Sequence, residues 1–150
     1  MANYQGTARS NFFRVTDVVG LRESVSSFEV SVQVHPANPE YVMLFPTTDD
    51  GGWPTWKQED EETGQEVEFD PVEHICPFLA EGEVAILIEI GAEKLNYVSG
   101  FARAFTWDGR HIALSLSDIY GRVEKELGIA QEQFADATYL SLPRTVALAA

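Results

Sequence analysis

The groups in this 150-residue chain that could do chemistry are three histidines, one cysteine and 24 acidic side chains. His74 and Cys76 are the closest to a base and nucleophile pair. A thiol is activated by a base within hydrogen-bond reach, and positions two apart on a helix do not face each other, so a structural thiol is expected at Cys76. His35 and His111 fall at the ends of expected strands, where a lone imidazole satisfies a turn, and no two histidines have the close spacing of a zinc site. A single cysteine also excludes an internal disulfide and a thiolate zinc cage within one chain.

Oxygen chemistry fares no better. Ser115, Ser117 and Asp118 lack the Gly-x-Ser-x-Gly elbow of a hydrolase nucleophile, and helix capping accounts for Ser117. Asp49-Asp50-Gly51-Gly52 and the run from Glu59 to Glu62 carry oxygen ligands suited to calcium or magnesium, without the spacing of a 12-residue calcium loop. Glu66, Glu68 and Glu73 offer paired carboxylates, but glycoside hydrolysis needs one of them in an apolar pocket, and they read as a solvated face. Glycine-rich phosphate cradles are absent. No catalytic residue, metal or cofactor is expected.

What the sequence emphasises is charge. The formal net charge is -14, and residues 49–93 hold fourteen acids against Lys57 alone, a net -13. Phosphate backbones are bound by Lys and Arg that displace counterions, so direct nucleic-acid binding is disfavoured. No apolar run reaches the roughly 20 residues that cross a bilayer, and the start lacks the basic and apolar regions of a secretory signal, so a cytoplasmic protein is expected. At 45% apolar residues the chain is not a disordered acidic tail. Self-repulsion among clustered carboxylates costs stability, so the concentration requires a reason. Within it sit Trp53 and Trp56, either as a lid on the core or as apolar anchors in a charged interface.

The elements that must position these groups follow from periodicity. Residues 11–15 predict a first strand; Asp17 or Thr16 caps a helix through 27, on which Gly20 is a weak point. Alternation of Phe28, Val30, Val32 and Val34 with polar residues predicts a strand, with 41–45 as its apolar neighbour. Residues 46–64 predict a long wet hairpin or flap, followed by a strand at 65–69 whose acids share a face about 7 Å apart. Asp70-Pro71 opens a short helix, broken by Pro77. Residues 83–91 predict a strand, 96–107 and 111–116 a hairpin through Asp108-Gly109, and 118–127 a helix capped by Ser117 and ended by Gly128. Its stripe is Ile119, Val123 and Leu127, and an apolar tail follows. The fold class expected is α+β, a mainly antiparallel sheet with two to three helices packed on it, in one compact domain over 1–150 with the acidic segment at its centre.

Two stretches carry a resemblance. Asn3-Tyr4-Gln5-Gly6-Thr7-Ala8-Arg9-Ser10-Asn11-Phe12-Phe13-Arg14-Val15 resembles the opening of a family of short, acidic, mostly uncharacterised proteins carried by phages, plasmids and conjugative elements. Glu93-Lys94-Leu95-Asn96-Tyr97-Val98-Ser99-Gly100 with Leu114-Ser115-Leu116-Ser117-Asp118-Ile119 resembles its second half. The resemblance spans about a fifth of the chain, leaves 49–93 uncovered and transfers no catalytic residue. It implies a setting in which small, strongly negative proteins inhibit host defence, as antirestriction and anti-CRISPR proteins do.

The leading reading is an acidic interaction protein, not an enzyme, that occupies the basic nucleic-acid groove of a target by mimicry. Its candidate partner-binding residues are Asp49, Asp50, Trp53, Trp56, Glu59, Asp60, Glu61, Glu62, Glu66, Glu68 and Asp70. The alternatives are a small enzyme or ligand-binding domain with a site near His74 and Cys76, and an assembly protein that forms a homodimer through the tail at 137–150.

Overall fold

The computed structural model describes the backbone of residues 4–60, 62–93 and 97–133, and the side chains of these except 56–60 and 97. The architecture is α+β. A four-stranded antiparallel sheet is built from β1 (Tyr4–Ser10), β7 (Val84–Glu93), β8 (Tyr97–Thr106) and β9 (His111–Ser115), in the order β1-β7-β8-β9. A smaller sheet has the order β2-β4-β3, from β2 (Phe13–Arg14), β3 (Val30–Val34) and β4 (Tyr41–Pro46). A two-stranded ribbon, β5 (Trp56–Asp60) with β6 (Gln65–Glu68), pairs with neither sheet among the described residues.

The first strand departs from expectation. Instead of one strand over 11–15, the chain runs β1 from Tyr4 to Ser10, breaks, and makes only a two-residue β2 on the other sheet. Asn11 marks the break, with its side chain standing in for backbone: Oδ1 accepts from the Ile86 N–H at 2.7 Å and Nδ2 donates to the Val84 carbonyl at 3.0 Å. Next to it, the buried Ser10 hydroxyl accepts from the Leu44 N–H at 2.8 Å and so ties the two sheets together. The alternating polar residues of β1, Gln5, Thr7 and Arg9, are exposed, which leaves the segment too polar to predict as a strand from its pattern.

The helices follow their caps. On α1 (Val18–Ser26) the Asp17 carboxylate accepts from the Gly20 N–H, and Leu21 and Val25, one turn apart, are fully buried. Gly20 has a packing reason: a side-chain carbon there would lie 2.8 Å from the Phe78 ring. Strand β3 begins at Val30, later than expected, because Glu29 takes a left-handed φ of 60° and turns the chain after buried Phe28. Asp70 caps α2 (Pro71–His74) by accepting from the Val72 N–H, and Pro77 confines the continuation to a 3-10 turn, Cys76–Phe78. On α3 (Asp118–Leu127) the N-terminal expectation is corrected. Ser117 makes no cap bond; its hydroxyl pairs with Ser115 Oγ, while Asp118 Oδ2 accepts from the Ser115 N–H. Gly128 ends the helix at φ 70°.

The core gathers Phe13, Leu21, Val25, Leu44, Ile75 and Leu87 among its most buried side chains. No helix among the described residues is long and apolar enough to cross a membrane. The tail expected to dock or dimerise, 137–150, lies outside the described residues.

Because the Asn11 side chain satisfies two partly buried backbone groups, Asn11→Ala is expected to lower unfolding free energy by about 1–3 kcal/mol, read from urea denaturation at constant m-value.

Candidate functional site

The acidic segment begins in a turn that is fixed from both sides. Asp50 Oδ1 accepts from the Gly52 N–H at 2.9 Å and from the Thr48 hydroxyl, while the Asp50 carbonyl accepts from the Gly6 N–H of β1 at 2.6 Å. Gly51, at φ 81°, is required there, since a side chain would run into the Gly6 carbonyl.

The turn closes on Glu89, a residue the sequence placed among the acids and the structure places inside. Glu89 is 8% exposed on β7, on the face that carries Ala85 and Leu87. One carboxylate oxygen accepts from the Trp53 N–H at 2.6 Å and the other from the Tyr4 hydroxyl at 2.6 Å. Gly52 leaves room for this approach, because a side-chain carbon there would lie 2.9 Å from Glu89 Oε1. Arg103 on β8 shares the face, across from Leu87, with its guanidinium over Phe101 and Phe105. Burial pulls the Arg103 pKa below its usual value, and the negative charges of Glu89 and Asp70 act against that pull. Its buried Nε has no hydrogen-bond partner among the described residues. Burial first, and then the hydrogen bond to Glu89, push the Tyr4 hydroxyl from 10.0 up to about 12.

Trp53 is therefore corrected from exposed anchor to part of the core. It is 8% exposed, and its indole N–H donates to the Ile88 carbonyl at 3.1 Å. An indole buried to this extent leaves little surface for a partner. Asp70 is likewise engaged as a helix cap and Asp50 as a turn brace, so these two serve the fold as well as the surface charge.

The exposed acids of the candidate set divide between the turn and the ribbon. Asp49 stands at a shallow cleft of about 290 Å³ with Glu29, Asp50, Trp53 and Pro54 in its lining. On the ribbon, Glu66 and Glu68 are exposed on one face of β6, separated by half-buried Val67. They stand opposite Gln58 and Trp56 in the register, which shifts between Gln58 and Asp60. Neither has an ion-pair partner among the described residues. Glu62 is exposed near the turn, where Gly64 sits at φ 69° in open space. The side chains of Trp56, Glu59 and Asp60, and all of Glu61, lie outside the described residues.

The groups named for the enzyme alternative have roles in the fold. His74 Nδ1 accepts from the Asp70 N–H at 3.0 Å, and its ring packs with Phe28 and Phe69. Cys76 is buried, and burial together with the charges of Asp70 and Asp108 pushes its thiol pKa up, away from nucleophilic thiolate. His35 holds a turn, as its pattern suggested, by accepting from the Ala37 and Asn38 N–H groups. Among the described residues no three His, Cys, Asp or Glu side chains converge as a metal site would require. Comparison of the chain with family models, with curated proteins and with solved structures finds no match.

The missed residue, Glu89, had a signal: a lone acid inside the apolar run Val84 to Ile90, in phase with Ala85 and Leu87. Glu89→Gln keeps one acceptor and turns an amide N–H₂ toward a donor. It is expected to cost about 1.5–3 kcal/mol, measured by urea denaturation. Tyr4 gives a pH test. Its folded pKa is raised, so its contribution is fully present below the unfolded value of 10.0 and lost as pH rises toward about 12. Tyr4→Phe is expected to shrink the stability loss across that window; an unchanged loss would place the titrating group elsewhere.

Proposed function

We propose that this chain is an acidic binding protein whose ribbon and turn enter the basic groove of a nucleic-acid-processing protein in place of nucleic acid. The observation that carries the reading is the ribbon β5–β6, which pairs with no other strand and exposes Glu66 and Glu68 with no ion-pair partner, both among the described residues. Its sequence from 59 to 68 holds six acids and no base. Over a ribbon about 15 Å long, this is roughly one charge per 2.5 Å, between the 1.7 Å of a duplex axis and the 3.4 Å of one strand. Arrayed carboxylates supply that charge without a scissile phosphodiester. The acidic cleft at Asp49 and Asp50 adds a notch of the right sign for an arginine or lysine of the target.

Stability supports the same division. The charges that the fold uses, Glu89, Asp70 and Asp50, root the segment, while Glu66 and Glu68 on the ribbon have no ion-pair partner among the described residues. A partner repays their mutual repulsion by supplying cations. We infer a cytoplasmic setting, a host defence or nucleic-acid-processing complex as target, and no catalytic role for the chain itself.

Immobilised full-length chain is expected to retain from cell extract basic proteins that short duplex DNA displaces. Replacing Glu59, Asp60, Glu61 and Glu62 with Lys is expected to slow association about tenfold or more at low salt. The same charge change at Glu23, Glu40, Glu124 and Glu132 is expected to leave most of the retention. Equal retention by the two variants would reject the mimic.

A further inference from the structure

The four-stranded sheet has a second face, opposite Glu89, that carries almost no charge. Register places Ile88 beside Ala102 and Leu114, Ile86 beside Ala104 and Ile112, and Ile90 beside Gly100, over which Leu116 lies. Ile88, Ile90, Val98, Ile112, Leu114 and Leu116 are between 44% and 74% exposed. Arg9 on β1 is the one charged residue in phase with this face among the described residues.

The face is shaped as well as apolar. The β7 and β9 rows are branched, and the β8 row between them is Gly100, Ala102 and Ala104, so a trough runs along β8 with walls two strand spacings apart, about 9.6 Å. An α-helix is about 10 Å across. Leu116 closes the floor at Gly100, and beyond it a separate shallow groove of about 390 Å³ lies over β1 and β7, with Gln5, Thr7, Ile90, Ala92 and Val98 in its lining. The chain also exposes a helix with a matching stripe: Ile119 and Leu127 on α3 are 54% and 68% exposed, with Val123 half-buried between them.

We propose that this face is a homodimer interface in which α3 of each copy lies along the trough of the other. Three observations select a second copy. The trough and the stripe are complementary surfaces on one chain, and a two-fold axis satisfies both at once. Apart from Arg9 at its β1 edge, the strands of this face offer no charge for a foreign partner to read among the described residues. The acidic turn closes on Glu89 from the other side of the sheet, so joining these faces sets the two anionic segments on opposite sides of the dimer and limits repulsion between chains of charge -14.

Light scattering of the full chain during size-exclusion chromatography at micromolar concentration tests this. The expected mass is twice 16.7 kDa. Ile112→Glu with Leu114→Glu is expected to give a folded chain of single mass, because both side chains are exposed in one copy. Leu127→Glu on α3 is expected to weaken dimerisation at least tenfold independently, with circular dichroism unchanged. A wild-type monomer overturns the proposal. If the double variant of that monomer is destabilised, the chain's own residues cover the face; if it is not, the occupant is a different protein. A dimer that survives both variants overturns it as well.

Discussion

A carboxylate taken out of water must find its hydrogen bonds within the protein or cost the fold several kcal/mol, and Glu89 finds them in Tyr4 and Trp53. Each donor belongs to a different part of the chain, β1 and the acidic turn, so one side chain on β7 joins three segments remote in sequence. The turn residues follow from it: Gly52 for the approach, Gly51 for the left-handed backbone, Asp50 to brace the loop. Removing the carboxylate would release the root of the acidic segment while leaving the two hydrophobic sheets otherwise intact.

That anchor divides the large sheet into two chemistries. Its inner face holds Leu87, Phe105, Arg103 and Glu89 and packs on the core; its outer face is branched aliphatic and exposed. Alternation along a strand accomplishes this with no additional element, because successive residues of β7 point to opposite sides. The most anionic stretch thus springs from one side of the sheet and the most apolar surface occupies the other. A protein that binds a basic partner with the first and itself with the second would present two acidic ribbons pointing away from each other.

Much of this fold was legible. The helix caps at Asp17 and Asp70, the stop at Gly128, the hairpin through Asp108-Gly109 and the pairing of β3 with β4 all rest on local rules that tertiary context left alone. What failed depended on distant partners. β1 alternates polar and small residues and becomes a strand because β7 offers it a full ladder. Ser117 obeys Ser115 instead of the helix, and the Trp53 backbone is held by a carboxylate 36 positions away. The acidic segment itself was visible by count. Which of its acids are structural was not, since a buried Glu and a solvated one are the same letter, and only the in-phase apolar neighbours of Glu89 hinted at its place.

Glu89 roots the acidic segment, and the ribbon beyond that root pairs with neither sheet among the described residues. Native-state hydrogen exchange read at single amides measures this directly. The Trp53 amide, bonded to the buried carboxylate, should exchange only through openings close to global unfolding, whereas the Glu66 amide of the ribbon, which pairs with neither sheet among the described residues, should exchange through local openings well short of it. Equal, fast exchange at both positions would show that the turn is not held to the sheet and would contradict the account.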